Sequence, residues 1–399
     1  MTAPETKTPF VAIACGGTGG HLFPGLAVAA QLKQRGCDIA LLISPKDVDQ
    51  QGVKSTQDME IFTLPAVGLQ NGNYFAFAAS FVKSLFAARK IFKKRRPAAV
   101  LAMGGFTSAP PVFVAKDMGI KAFLHESNTI PGRANRILSR FVDGAFVGFP
   151  EAAARLKTRK VTTTGTPVRP QFQRQDTANC RSALGLDANL PTILVVGGSQ
   201  GAHGLNEMIL STLPLLAGKK WQWLHLTGAK DFERVKAAYA GRGVKAVVKP
   251  FLEEMDLALG AATVAMSRAG ASSLAEIAAM RLPALLVPFP AAADNHQFFN
   301  ASAFEKTGAA RLLEQKHSTP EKVAVVLDEL VENEIARSAM QSALAQWHRP
   351  QAAEQIAEAI LQAVAQPEQS ERRTPVRRDE AASGGNLPNG SSAFQSRNA

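Results

Sequence analysis

The chain has 399 residues, 46% hydrophobic and 20% charged, which is typical of a globular protein with room for two domains. Its three cysteines, Cys15, Cys37 and Cys180, are too few and too far apart to predict a disulfide framework or a zinc site. No apolar run is long enough to cross a bilayer and the first residues lack a signal-sequence pattern, so we expect a cytoplasmic protein.

The formal net charge of +12 is concentrated in the first part of the chain, because residues 1–165 hold 21 Lys and Arg against 10 Asp and Glu. A uniformly basic protein would indicate nucleic acid as its partner. One basic domain beside a neutral one instead indicates that half of the protein meets an anionic surface. We therefore expect an anionic membrane surface as a partner, and no nucleic acid.

Apolar runs alternate with helical patterns, which predicts βαβ units and parallel sheets. The pattern runs to residue 147 and begins again at residue 192, which predicts two similar α/β domains joined within residues 166–191. The predicted strands cover residues 10–15, 39–43, 98–103, 121–124 and 144–147, then 192–196, 223–227, 246–249, 263–266 and 284–288. Helices are predicted over residues 23–35 and 205–216, among others. Residues 367–399 are rich in small and polar residues, which predicts a disordered tail.

A pair of glycines follows a predicted strand three times, beginning at Gly16, Gly104 and Gly197. Such loops let backbone amides approach a phosphate, although one pair alone more often marks only a tight turn. All three lie at the carboxyl ends of strands, where open α/β sheets bind ligands, and this favours phosphate binding. None fits the dinucleotide fingerprint or the P-loop, which disfavours dehydrogenase and kinase chemistry.

A second candidate site lies in residues 267–301, where a turn opens a helix near Gly270–Ser273, an arrangement typical of a diphosphate site. The Glu276 carboxylate is expected near the same helix end, where it could accept hydrogen bonds from a ribose. The alternative is that Ser273 and Glu276 only form a capping box. The loop from Asp294 to Gln297 offers neutral groups of the kind that bind sugar hydroxyls.

Residues 74–96 combine two apolar stripes at helical spacing with a basic end. One stripe is enough to dock a helix on a sheet, so the other could lie in a membrane interface with the cations on anionic head groups. The alternative is an ordinary core helix with a solvated basic end. The first stripe is Tyr74, Phe77, Phe81, Leu85 and Phe92, the second is Phe75, Val82 and Phe86, and the cations are Lys83, Arg89, Lys90, Lys93, Lys94, Arg95 and Arg96.

Six motifs, in order, resemble those of the MurG family, and the resemblance extends from about residue 10 to residue 365. They are GGTGGH at 16–21, GGFTS at 104–108, HESN at 125–128, GTPVR at 165–169, GGSQGA at 197–202 and SRAGASSLAE at 267–276. Members of this family move GlcNAc from UDP-GlcNAc to the MurNAc 4-hydroxyl of undecaprenyl-diphosphate-MurNAc-pentapeptide, converting lipid I to lipid II in peptidoglycan synthesis.

The resemblance implies an α/β protein of the GT-B glycosyltransferase fold, with two Rossmann-like domains of parallel sheets facing a cleft. It implies an acceptor-binding and membrane-facing domain at residues 1–165, a linker at 166–191 and a UDP-GlcNAc-binding domain at 192–366. It also implies inversion at the anomeric carbon without a metal or other cofactor, and a peripheral protein on the cytoplasmic face of the bacterial inner membrane.

Residue by residue, the resemblance implies three groups of site residues. The UDP-GlcNAc contacts are Thr18, Gly19, Gly20, Asn128, Arg169, Ser199, Leu252, Ala271, Ser272, Ser273, Leu274, Ala275, Glu276 and Gln297. The acceptor diphosphate would meet Gly16, Gly17, Gly104 and Gly105. The candidate catalytic residues are His21 and Glu126. Ala269 and His296 stand where many or some members carry Ser and Gln, so the sugar contacts are less firmly implied than the diphosphate contacts.

Direct displacement needs a base for the acceptor hydroxyl and support for the departing UDP. A histidine with an ordinary pKa of about 6.5 can be neutral at pH 7, so His21 is expected to be the base or to position the acceptor, with Glu126 as the competing base. The UDP would be stabilised by helix amides and by Arg169 or Arg268 rather than by magnesium. The alternatives are a GT-B enzyme acting on diacylglycerol, a UDP-GlcNAc epimerase, or a non-catalytic membrane-binding scaffold.

Overall fold

The computed structural model describes residues 8–54, 56, 58–66, 74–198 and 200–366. Within these ranges the strands form two sheets, and neighbouring strands run parallel, as the alternating pattern predicts. The predicted tail at residues 367–399 lies outside the described part of the chain, and so does Ser199.

The first sheet has seven strands in the order β3-β2-β1-β4-β5-β6-β7. The strands are β1 (Phe10–Ala14), β2 (Asp38–Ile43), β3 (Glu60–Thr63), β4 (Ala99–Ala102), β5 (Lys121–Glu126), β6 (Gly144–Val147) and β7 (Val161–Thr163). The helices between them are α1 (Gly19–Gln34), α2 (Asp47–Gly52), α3 (Tyr74–Lys94), α4 (Ala109–Asp117) and α5 (Arg133–Leu138). Strands β3 and β7 were not predicted, because they are short and have few buried residues.

The second sheet has six strands in the order β10-β9-β8-β11-β12-β13. The strands are β8 (Thr192–Val196), β9 (Gln222–Leu226), β10 (Ala246–Lys249), β11 (Val264–Ser267), β12 (Ala284–Leu286) and β13 (Arg311–Leu312). The helices are α6 (Thr177–Ala183), α7 (His203–Leu216), α8 (Phe232–Ala240), α9 (Met255–Ala261), α10 (Ala271–Met280), α11 (His296–Lys306), α12 (Pro320–Glu332) and α13 (Glu334–Trp347).

Strand order reverses direction once in each sheet, between β1 and β4 in the first and between β8 and β11 in the second. Loops diverge at such switch points and leave a crevice at the carboxyl ends of the strands, where α/β proteins bind ligands. The three Gly-Gly loops follow β1, β4 and β8, and the turn at Gly270 follows β11. All four loops singled out in the sequence therefore lie at a switch point.

A last helix, α14 (Ala352–Ala365), packs on the first sheet rather than the second. Ile356, Ala357 and Ile360 are fully buried in the same core as Leu22 of α1. Arg35 at the end of α1 pairs with Glu354 at 2.8 Å. The chain thus crosses back after the second sheet and adds a helix to the first core, while the functional division at residues 166–191 stays a prediction.

Helix α3 confirms one stripe of the amphipathic prediction and corrects the other. Phe75, Val82 and Phe86 are exposed, as expected for a stripe that does not dock, with Phe75 at 92% and Phe86 at 70%. The buried line, however, consists of Ser80, Ser84, Ala88 and Phe92. The predicted docking stripe is therefore wrong at Tyr74, which is 69% exposed. The small residues of this line let α3 pack closely, and its principal neighbour is α4, where Phe81 meets Phe113 edge to face.

Candidate active site

Two helix N-termini meet where the switch points of the two sheets face each other. Helix α1 begins at Gly19, four residues earlier than predicted, because only residues 15–18 are needed for the turn after β1. The Ser272 hydroxyl, in the first turn of α10, donates to the Gly20 carbonyl at 3.0 Å. The Thr18 side chain makes no capping hydrogen bond to the first turn of α1 in the described part of the chain. The N-cap of α10 is Gly270, which has no side chain to make one. Two helix ends without side-chain caps thus adjoin, an arrangement whose partial positive charge suits an anion.

The loop between β1 and α1 is fixed by the end of β2 and by the residues that follow it. A Cβ on Gly16 would overlap the backbone of Ile43 and Ser44, so only glycine fits there. Gly17 has φ +112°, and its N–H donates to the buried Asp49 carboxylate at 2.6 Å. Lys46 Nζ donates to the Gly17 carbonyl at 3.0 Å. Because Asp49 already accepts from the Gly17 N–H, a ligand would have to use the other amides of this loop.

The loop after β4 makes room for the imidazole of His21. Gly104 and Gly105 have φ values of +108° and +76°. A Cβ on Gly104 would lie 3.0 Å from His21 Nε2, and one on Gly105 would lie 3.1 Å from Nδ1. His21 Nδ1 is 3.2 Å from Thr18 Oγ1. When Nδ1 carries the proton and donates it to Thr18, Nε2 is the free basic nitrogen.

His21 is half-buried, and its surroundings bear on its protonation. Burial lowers the pKa of His21 below its usual value, while the charges of Glu126 and Asp49 oppose that shift. The imidazole is therefore neutral at pH 7, as a general base must be. The two carboxylates would stabilise the imidazolium that forms once a proton is taken.

Glu126 is buried, and four donors surround its carboxylate. Oε1 accepts from the backbone N–H of Asn128 at 2.9 Å and from its side chain at 3.0 Å. Oε2 accepts from the Gly132 N–H and from Asn135 Nδ2, both at 2.9 Å. In this geometry the carboxylate organises the loop after β5 and has no lone pair left for a substrate hydroxyl.

Arg169 and Glu276 form a partly buried pair beside the two helix ends. Their closest atoms, Arg169 Nη2 and Glu276 Oε1, are 3.7 Å apart, and the guanidinium stacks on the rings of Phe23 at 4.1 Å and Phe172 at 4.9 Å. Burial raises the pKa of Glu276 to about 7, against the opposing charge of Arg169. The capping-box alternative is wrong, because α10 begins at Ala271 and Glu276 lies more than one turn inside it.

Arg268, the other candidate cation, is held by the protein. Its Nη1 donates to the carbonyls of Val287 at 3.0 Å and Pro288 at 3.1 Å, and its Nη2 donates to Gln315 at 2.8 Å. Burial lowers the pKa of Arg268 to about 10. This side chain braces the turn below α10, and Arg169 is the cation that remains beside the cleft.

The predicted sugar loop is ordered by amide side chains. Gln297 Oε1 accepts from the backbone N–H of Phe289 at 2.9 Å and of Ala269 at 3.2 Å, so its amide N–H groups remain as donors. The fully buried Asn300 donates to Asn128 Oδ1 at 3.0 Å and to the Ala269 carbonyl at 3.1 Å. Its oxygen accepts from the Thr129 N–H at 2.9 Å. Asn300 therefore joins the loop after β5 to the wall beside α10.

The other predicted donor contacts divide into cleft and core positions. Leu252 and Leu274 are buried in the core of the second sheet, so contacts from them would come largely from the backbone. Ala271 is also buried, whereas Ser272, Ser273 and Ala275 are partly accessible on α10. Sequence reasoning missed Asp49, Phe23, Phe172 and Asn300. The signal for Asn300 was its position three residues after Gln297, which places both on one helix face.

Together, the two parallel α/β sheets and the helix N-termini that adjoin at their switch points form the GT-B fold. The profiles of the glycosyltransferase family 28 N-terminal and C-terminal domains match residues 11–147 and 192–359. The chain belongs to glycosyltransferase family 28, and within it to the MurG family.

The relatives that place it there are similar over most of their length. A protein of Anaeromyxobacter sp. (strain Fw109-5) is 36% identical over 363 residues, covering 88% of this chain and 93% of the relative. One of Listeria monocytogenes is 31% identical and covers 88% and 98%. Both are named UDP-N-acetylglucosamine--N-acetylmuramyl-(pentapeptide) pyrophosphoryl-undecaprenol N-acetylglucosamine transferase.

Solved structures agree with the fold. The crystal structure of Acinetobacter baumannii MurG aligns with a TM-score of 0.69 at 28% identity, covering 89% of this chain and 99% of that one. A UDP-N-acetylglucosamine 2-epimerase aligns with a TM-score of 0.66 at 12% identity, and at that identity it shows the fold alone.

Proposed function

We propose that this enzyme transfers GlcNAc from UDP-GlcNAc to the MurNAc 4-hydroxyl of undecaprenyl-diphosphate-MurNAc-pentapeptide, the step from lipid I to lipid II. The observation that carries the proposal is the contact between the two uncapped helix N-termini, with His21 in the first turn of one of them. Relatives at 31% and 36% identity are named for this transfer.

The donor is proposed to lie against α10. The Ala271 to Ser273 amides would bind the diphosphate, the ionised Glu276 would accept hydrogen bonds from the ribose, and Arg169 would balance the phosphate charge. Asn128 and the amide N–H groups of Gln297 would bind the sugar hydroxyls. The remaining sequence-implied contacts are Thr18, Gly19, Gly20, Ser199, Leu252, Leu274 and Ala275.

The acceptor is proposed to enter from the first sheet, with its diphosphate near Gly16, Gly17, Gly104 and Gly105. The acceptor 4-hydroxyl oxygen bonds to C1 of GlcNAc as the bond from C1 to the UDP oxygen breaks, and the bonding electrons leave with UDP. The hydroxyl proton passes to Nε2 of His21, and the two helix ends stabilise the charge that develops on the diphosphate. Attack opposite the leaving group inverts C1, and the proposal requires no metal or other cofactor.

His21 is the base that the geometry favours over Glu126. The four donors around Glu126 occupy its lone pairs, whereas Nε2 of His21 borders the glycine loops of the proposed acceptor site. Glu126 then acts by shaping the loop that carries Asn128 and by stabilising the His21 imidazolium.

Radiolabelled UDP-GlcNAc tests the transfer in three reactions: with lipid-linked MurNAc-pentapeptide, with diacylglycerol, and without an acceptor. We expect label in lipid-linked MurNAc-pentapeptide, no label in diacylglycerol, and no conversion of UDP-GlcNAc when acceptor is left out. Label in diacylglycerol alone would indicate a different lipid glycosyltransferase. Epimerised UDP sugar without transfer would indicate the epimerase alternative, and activity in none of the three reactions would indicate a scaffold.

The exposed face of α3 is proposed to bind the anionic cytoplasmic surface of the inner membrane. Phe75, Val82, Phe86 and Lys93 recur at helical spacing on one exposed face. Arg89 pairs with Asp117, Arg95 with Asp38 and Glu60, and Arg96 donates to two carbonyls, which is a correction to the expectation that all seven cations face lipid. Lys83, Lys90, Lys93 and Lys94 remain exposed. Among the described residues no helix is both long and apolar enough to cross a bilayer.

Replacing both Phe75 and Phe86 with serine is expected to weaken binding to anionic vesicles at least about tenfold, because each buried aromatic contributes about 1.5–3 kcal/mol. Vesicle sedimentation measures the effect. Ile335→Ser is the matched control, since Ile335 is 83% exposed on α13. Wild-type protein that bound neutral and anionic vesicles equally would contradict the role of the lysines.

A further inference from the structure

A cavity of about 520 Å³ lies between the carboxyl edge of the first sheet and helix α11, outside the donor and acceptor sites described above. Its walls include Thr129 and Ile130 after β5, Gly148 after β6, Phe299 and Lys306 on α11, and Trp347 at the end of α13. This volume lies within the range of small-ligand sites. The cavity adjoins the proposed sugar site, because the Asn300 side chain accepts from the N–H of Thr129 and donates to Asn128.

The cavity has an excess of positive charge. Arg155, Lys306 and Arg349 line it against one acidic residue, Glu151. In the described part of the chain, none of these three cations takes part in an ion pair. Trp347, which stacks on Phe304 with ring centroids 4.4 Å apart, gives the cavity a firm apolar side. Three cations beside an aromatic wall suit a ligand that has apolar parts and ends in an anionic group.

The stem of Arg349 packs against Gly165, which directly precedes the predicted linker at residues 166–191. Gly165 has φ +85°, and a Cβ there would stand 2.6 Å from Cβ of Arg349, so the glycine makes room for the arginine stem. The Gly165 carbonyl is itself held by His125 Nε2 at 3.1 Å. A backbone fixed in this way positions one cation of the cavity, although the proposed donor and acceptor diphosphate contacts do not use it.

We propose that this cavity binds the carboxylate end of the acceptor's pentapeptide, an inference that rests on the proposed function. The peptide of an N-acetylmuramyl-pentapeptide ends in a carboxylate, and arginine matches that group with paired donors. Strand β6 stands three strands from β1, and at about 4.8 Å per strand this is roughly 14 Å from the loop that carries His21. An extended pentapeptide spans roughly 17 Å, so its end reaches the cavity.

The test compares two lipid-linked acceptors, one with the free C-terminal carboxylate and one with a C-terminal carboxamide. We expect the amide to raise the acceptor KM of the wild-type enzyme about fivefold. Arg349→Gln and Lys306→Gln should each raise KM for the free acid and reduce the discrimination, with kcat and the KM for UDP-GlcNAc unchanged. Lys220→Gln, an exposed cation outside the cavity, is the matched control.

Two results would overturn this assignment while transfer itself persists. One is a wild-type enzyme that uses both acceptors with the same KM. The other is full discrimination retained in both the Arg349→Gln and Lys306→Gln variants. Absence of transfer to either acceptor would instead refute the proposed function, and the peptide site with it.

Discussion

Replacing His21 with alanine is expected to lower kcat by about 10²- to 10⁴-fold, the usual contribution of a positioned general base. The KM for UDP-GlcNAc should change little, because the donor is proposed to lie on α10 and not on the imidazole. Steady-state kinetics with both substrates varied separates the two effects. His317→Ala, an exposed histidine on another surface, is the matched control and should behave as wild type.

The pH profile gives His21 a second signature. Burial lowers the pKa of His21, and the neutral imidazole is the active form. With UDP-GlcNAc saturating at every pH, kcat/KM for the acceptor should therefore be flat above about pH 6.5 and should fall only as pH drops through that lowered pKa. Wild-type turnover in His21→Ala, together with loss of turnover in a folded Glu126→Ala protein, would reverse the assignment of the base.

A Glu126→Gln protein should show its defect in thermal stability as well, because an amide cannot accept from all four donors around that position.

Glu276→Gln is expected to raise the Kd for UDP-GlcNAc about 10- to 100-fold, because hydrogen bonds to a charged acceptor contribute about 1.5–3 kcal/mol. The pH dependence is the sharper readout. The pKa of Glu276 is raised to about 7 by burial, and the ribose hydroxyls need the ionised form as acceptor. Binding by the wild type should therefore be about tenfold weaker at pH 6 than at pH 8.

Calorimetry at the two pH values tests this, since UDP-GlcNAc itself does not titrate in that range. The Gln variant should bind equally weakly at both. In the free protein the raised pKa of Glu276 makes the folding stability change with pH in the opposite direction from the binding of UDP-GlcNAc. The folded state keeps a proton that the unfolded chain releases above about pH 4.5, so stability from this group declines as pH rises toward 7. Wild-type affinity independent of pH would contradict the role of Glu276 as a ribose ligand.

Local sequence patterns were sufficient for several strands and for the position of the glycine loops. Strands β6, β8 and β10 have the bounds that the apolar runs predict, and the glycine pairs after β1, β4 and β8 lie at the switch points. These features depend on residues close in the chain: an apolar run makes a buried strand, and glycine permits the positive φ of the turn.

Contacts between residues far apart in the chain could not be predicted from local sequence patterns. Asn300 bonds to Thr129 and Asn128 across 171 and 172 positions, and the return of α14 to the first core brings Glu354 to Arg35 across 319. From the sequence alone, Arg169 and Arg268 are equally good candidates for the cation beside the diphosphate. Only the fold shows that carbonyl groups bind Arg268, while Arg169 stacks on two rings beside Glu276.

The anomeric configuration of the product tests the central claim most directly. UDP-GlcNAc carries its sugar in α-linkage, and one displacement in the cleft between the two helix N-termini must invert it. Nuclear magnetic resonance of the disaccharide released from lipid-linked product should show GlcNAc β-linked to the MurNAc 4-oxygen. An α-linked disaccharide, or free GlcNAc formed without any disaccharide, would contradict the account.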